Sequence, residues 1–142
     1  MDYITWTEND SINNAEIDDQ HKELLEIINQ LYEFCDKEYN EKAKALMYKL
    51  IEHTREHFDT EESYMKQLKY PQYISHKLEH DRFYNKIINF SLALEDGTDK
   101  LNVDFFKSFR NWFHNHLELN DKKCGEFFNA HLTKLRGAST TT

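Results

Sequence analysis

The sequence predicts an all-α protein, an up-down-up-down antiparallel four-helix bundle with an irregular N-terminal arm. Three observations predict it. The 142 residues include only three Gly and one Pro, too little turn chemistry for the many short strands of a sandwich or barrel. Apolar residues recur three and four apart in four long stretches, the period of a helix with one buried face. The links between those stretches are short, so consecutive helices should lie antiparallel and side by side. The chain reads as one domain, with an arm over residues 1–17, the bundle over 18–135 and a disordered tail over 136–142.

The arm carries Ile4, Trp6, Ile12 and Ile17 without a helical period, which suits an irregular segment packed on the body. The first helix begins near Asp18, read as its N-cap, and its stripe is Leu24, Leu25, Ile28, Leu31, Tyr32 and Cys35, with His21 on the same face. The second runs over about 41–69, with Ala43, Leu46, Met47, Leu50, Thr54, His57, Glu61, Met65 and Leu68 on one stripe. Pro71 stops it, because proline cannot continue the ladder and biases Tyr70 away from helix. The third starts near Gln72 and carries His76, His80, Phe83, Ile87 and Leu94 before a turn at 95–99. The fourth, over about 102–135, carries Phe105, Phe109, Trp112, Phe113, His116, Cys124, Phe127 and His131.

Composition excludes several functions. A net charge of −8 with no basic run argues against a nucleic-acid partner. No apolar run approaches the roughly 18 residues of a membrane span, and no signal peptide precedes the arm, so a cytoplasmic protein is expected. Three scattered glycines cannot build a phosphate-binding loop. What stands out is eight histidines.

Five of them share their stripes' buried side with two carboxylates. At about 1.5 Å of rise per residue, His21, His57, His80 and His116 come to a common height of roughly 21–25 Å above one end of the bundle. Glu61, His76 and Asp121 lie one turn higher. Seven polar groups in one core layer cannot satisfy one another, since most are acceptors or neutral imidazoles. A cation resolves the conflict. The donor set favours iron, manganese or zinc over copper(I), and seven ligands suit two ions bridged by carboxylates. One member is out of step: a spacing of five puts Asp121 about 140° around an ideal helix from His116, so a π-type widening is predicted between them.

The segments Ile17-Asp18-Asp19-Gln20-His21-Lys22-Glu23-Leu24, His57-Phe58-Asp59-Thr60-Glu61-Glu62 with Met65 and Tyr70-Pro71, His76-Lys77-Leu78-Glu79-His80-Asp81-Arg82-Phe83, and Trp112-Phe113-His114-Asn115-His116 through Asp121 together resemble the four helix motifs of bacterial hemerythrins. The resemblance runs from Trp6 to about Leu135. It implies that His76, His80 and His116 bind one iron and His21 and His57 a second. Glu61, Asp121 and an oxo or hydroxo group would bridge the two. Counting bonds on two six-coordinate irons then leaves one vacancy, on the two-histidine side, for a small diatomic ligand. The implied function is reversible O2 binding without enzymatic turnover, for storage, delivery or sensing. The alternatives are an O2, redox or NO sensor working through a separate signalling partner, and an iron-storage or peroxide-reducing protein. An oxygen-consuming partner and a monomeric state are further expectations. Leu24, Leu25, Phe58, Trp112, Phe113 and Leu117 would wall a dry O2 pocket, although the family usually has Leu in place of Phe113 and Ile in place of Leu117.

Three histidines stay outside this set. His53 and His57 match H-x-x-E-H, the inverted zinc-peptidase motif with Glu56 as base, but His53 sits at the stripe's edge. His114 points away from His116 and is expected in solvent. His131 lies some 22 Å beyond His116 along the helix and reads as a satisfied boundary residue. No histidine has Glu three positions before it, so the carboxylate-rich Glu-x-x-His oxygenases and ferroxidases are disfavoured. Cys35 and Cys124, roughly 28 Å apart in height, are expected as separate thiols.

Overall fold

The computed structural model describes the backbone of residues 3–140 and the side chains of residues 3–131. Among these residues the regular structure is entirely helical: α1 (Ala15–Tyr32), α2 (Glu41–Gln67), α3 (Tyr73–Asp96), α4 (Val103–His116), a π segment (Leu117–Asp121) and α5 (Lys122–Thr140). The π segment joins α4 and α5 into the single fourth rod of the predicted bundle. The backbone helix continues through 136–140, beyond the expected bundle end, while Thr141 and Thr142 lie outside the described residues. No helix among the described residues is long and apolar enough to cross a membrane.

Asparagine starts three of the four rods. The side chains of Asn14, Asn40 and Asn102 accept hydrogen bonds from the backbone N–H groups of Ile17, Ala43 and Phe105, satisfying donors that a helix N-terminus leaves open. The first helix therefore begins before Asp18, which is not its cap. Asp18 instead is buried and holds the arm, accepting from the Ser11 hydroxyl at 2.5 Å and the Ile12 backbone N–H at 2.9 Å. The arm is less irregular than expected, since Glu8–Asp10 forms a 3-10 turn. α1 also ends at Tyr32, so Cys35 lies in the turn beyond the helix rather than on its stripe. Gly97 closes α3 in the left-handed region at φ 75°, where a side chain would be strained.

The arm ties α1 to α5. Ile4 and Ile12 are buried, Trp6 packs on the core, and the Ile12 carbonyl accepts from Asn129 at 3.3 Å. A Cβ on Gly125 would lie 2.7 Å from the Ile12 carbonyl oxygen, so glycine is what admits the arm this closely. The apolar core runs the length of the bundle, built of Leu24, Ile28, Leu31, Met47, Leu50, Phe106 and their neighbours. One polar layer interrupts it.

Candidate metal centre

Each helix delivers its share of that layer by its own period. His57 and Glu61 are four apart on α2, as are His76 and His80 on α3, so each pair shares a face. His116 and Asp121 are five apart, and the π segment between them brings both inward, as the spacing required. His21, His57, Glu61, His76, His80, His116 and Asp121 are all buried, none above 4% exposed. Their donor atoms form two overlapping groups: Glu61, His76, His80, His116 and Asp121 in one, His21, His57, Glu61 and Asp121 in the other, with the ligand atoms of each within 4.8 Å of one another. Glu61 and Asp121 belong to both.

The distances within this layer are short. Glu61 Oε2 lies 2.6 Å from His57 Nε2, and Glu61 Oε1 lies 3.0 Å from His76 Nε2 and 3.8 Å from His80 Nε2. Asp121 Oδ1 lies 2.9 Å from His116 Nε2, and Oδ2 lies 3.2 Å from His21 Nε2. Close as they are, both Glu61 oxygens, Asp121 Oδ1 and the Nε2 atoms of His76, His80 and His116 have no aligned hydrogen-bond partner. Each polar atom orphaned in a buried layer costs roughly 1–3 kcal/mol. Imidazole nitrogens and carboxylate oxygens aimed at a common centre are the donor set of a first-row transition metal, and the residues present fit it.

The outer nitrogens explain why the inner ones are free to donate. His80 Nδ1 lies 3.0 Å from Glu62 Oε2, and His116 Nδ1 lies 3.2 Å from Glu79 Oε2. A carboxylate oxygen only accepts, so the ring proton sits on Nδ1 and leaves a lone pair on Nε2. His57 Nδ1 faces Gln20 Oε1 at 2.9 Å, and a relay fixes that amide. The Thr60 hydroxyl donates to the Glu56 carbonyl at 2.9 Å, so toward Gln20 it accepts, from Nε2–H at 3.0 Å, which turns Oε1 toward His57. His21 differs, because its Nδ1 is buried without a partner. Phe58 stacks on His80 with ring centroids 3.8 Å apart, and Trp112 stacks on His116 at 4.6 Å, fixing both ring planes.

In the metal-free protein, protons would bind among these donors instead. Burial opposes charge on His76, but contact with Asp121 and Glu61 outweighs it and raises the pKa to about 10. His116 is raised likewise, chiefly by Asp121 against burial. Burial and Asp121 push Glu61 up, yet His57 and His76 more than offset them and hold it at about 2. Burial dominates at His57 and lowers it.

The expected pocket wall is only partly as predicted. A cavity of about 10 Å³ lies on the His21–His57 side, lined by Leu24, Thr54, Phe58, Phe83, Phe109, Trp112 and Phe113 together with His21, His57, His116 and Asp121. Leu25 and Leu117 are buried but do not line it. Phe83, Phe109 and Thr54 do, although their sequence positions mark them only as members of the apolar stripes. The remaining histidines behave as expected. His114 is exposed, His131 Nδ1 meets the Phe127 carbonyl at 2.9 Å, and His53 pairs with Glu23 at 3.2 Å, away from the layer.

A four-helix bundle that gathers five imidazoles and two carboxylates in its core is a non-haem metal-binding bundle. The profile of the hemerythrin HHE cation-binding domain matches residues 13–127, and the chain belongs to the hemerythrin family. A bacteriohemerythrin of Methylococcus capsulatus is 28% identical over 92% of this chain and 100% of its own length. Myohemerythrin of Sipunculus nudus is 31% identical over 86% of this chain and 91% of its own. A crystal structure of wild-type hemerythrin superposes with a TM-score of 0.83 at 27% identity, covering 89% of this chain and 98% of that one. Oxygen binding at non-haem iron is the function this membership carries.

Proposed function

We propose that this chain binds O2 reversibly at a pair of iron ions, His76, His80 and His116 holding one and His21 and His57 the other. Glu61 and Asp121 reach both groups and would bridge them, with an oxo or hydroxo oxygen completing the bridge. The observation that supports this reading is the sharing itself: two ligand groups overlap in two carboxylates, of which both Glu61 oxygens and Asp121 Oδ1 lack hydrogen-bond partners. When bound, the pair would supply a reversible two-electron exchange with O2. The protein's part is to keep the two-histidine side narrow and its ligands oriented. Leu24, Phe58, Phe109, Trp112 and Phe113 exclude water from the two-histidine side, and Glu62, Glu79 and Gln20 hold the imidazoles in the donating tautomer.

The reading favours a binding protein over an enzyme, since no acid, base or nucleophile outside the ligand set enters the cavity except the Thr54 hydroxyl. Storage or delivery of O2 in the cytoplasm by a monomer is the role proposed, with an oxygen-consuming or signalling protein as partner. Two unpaired cysteines, Cys35 and Cys124, accord with a reducing compartment. The test is iron content together with visible spectra of the reduced protein before air, after air and after degassing. Two irons per chain and a charge-transfer band that comes and goes with O2 support carriage. Irreversible oxidation supports a sensor or a peroxide-reducing protein instead.

A further inference from the structure

Thr54 sits on α2 one turn before His57, only 1% exposed, in the wall of the small cavity beside His21 and His57. A threonine inside a helix ordinarily ties its hydroxyl to the carbonyl four residues back. Thr60, six residues on, does this with the Glu56 carbonyl at 2.9 Å. Thr54 does not: its Oγ1 is buried without any hydrogen-bond partner. A buried hydroxyl left unpaired is destabilising, and the rest of this wall is aromatic, aliphatic or ligand. The space beside Thr54 that can hold a partner is the cavity, whose volume of about 10 Å³ is near the minimum for one water-sized occupant.

We propose that Thr54 is a ligand-recognising residue, its hydroxyl donating a hydrogen bond to the outer atom of a small diatomic held on the two-histidine side. This rests on the di-iron reading above and deepens it. An apolar pocket discriminates ligands by size alone, whereas one fixed donor adds a preference for ligands whose outer atom carries negative charge. The hydroxyl stands on a rigid helix between Leu50 and His57, so it needs no rearrangement to make the bond.

The test uses the iron-loaded full chain and cyanide, a diatomic anion whose nitrogen accepts hydrogen bonds. Thr54→Val keeps the shape and removes the donor. We expect it to bind cyanide to the diferric form about tenfold more weakly, the loss of one charge-assisted hydrogen bond. Thr54→Ser, which restores the hydroxyl, should come back to within about threefold of the parent, allowing for its lost methyl. The metal-free Thr54→Val protein should melt at a higher temperature than the parent, because an unpaired polar atom has gone. A purely structural hydroxyl would lower it. Unchanged cyanide affinity in Thr54→Val at two irons per chain overturns the proposal and leaves the di-iron reading standing. A parent chain that never loads two irons overturns the di-iron reading instead. Should the valine variant not load, Thr54→Ala, which adds no bulk, gives the same comparison.

Discussion

The two halves of the centre are built on different backing. On the three-histidine side, carboxylates stand behind His80 and His116, and aromatic rings lie flat on both. On the two-histidine side, a neutral amide stands behind His57, nothing stands behind His21 Nδ1, and the cavity opens beside them. A carboxylate behind an imidazole makes it a stronger donor and fixes its plane. On the di-iron reading proposed above, the first half would hold its ion firmly and the second would leave room for a ligand. Affinity and access would then be divided between the halves rather than compromised within one.

The largest break in this comparison comes from a residue both halves share. Glu61→Ala removes a carboxylate common to both ligand groups, and iron content should fall from the expected two per chain to well below one; full loading would sink the assignment. Inserting one residue after Leu119 should come next. The Leu119 side chain is 63% exposed, so the insertion meets no core at its own position, but a spacing of six from His116 turns Asp121 about 100° away from the layer. Loss of iron is expected there, while Leu119→Ala, which keeps the spacing, loads normally.

A finer test sets one half against the other. Glu79→Gln should weaken iron binding about tenfold or more, measured by chelator competition, and the three-histidine ion should be the one released first. Gln20→Ala should have the smaller effect, felt on the other side. Equal losses from both variants would erase the distinction.

The mildest perturbation is pH. In the metal-free protein the folded pKa of His76, about 10, lies above its ordinary 6.5, so its charge stabilises the fold fully below pH 6.5. That contribution fades as pH rises through 10. The melting temperature of the metal-free protein should therefore fall between pH 7 and 10. Iron-loaded protein, whose ring nitrogens are already committed, should lack this component of the fall.

The sequence made much of this legible because both bundle and ligands follow from period. His21, His57, Glu61, His76 and His80 lie on the apolar stripes of straight helices, so counting residues was enough to bring them to one height. Asp121 was legible through its misfit, which called for the π segment that is found. The outer shell was not legible, and the reason is geometric. Gln20 stands beside His21 in sequence but serves His57, Glu79 stands beside His80 but serves His116, and Glu62 stands beside Glu61 but serves His80. A step of one residue turns about 100° around a helix, so each of these side chains reaches a neighbouring rod. Period-counting along one helix reads them as solvated. Asp18 was misread for a related reason: a carboxylate near a helix start looks like a cap, whereas its actual use depends on where the arm returns. Thr54 was read as one more stripe position, and only the missing partner sets it apart.

The Gln20 amide has two orientations of nearly equal shape, and the Thr60 hydroxyl, spent on the Glu56 carbonyl, permits only one. If that hydroxyl were lost, the amide could rotate by half a turn and offer His57 an N–H where it now offers oxygen. The ring proton would then move to Nε2 and face the centre, closing one coordination site while the backbone and the imidazole ring stayed in place. A main-chain carbonyl one turn along α2 thus settles, through two side chains, where a single proton resides.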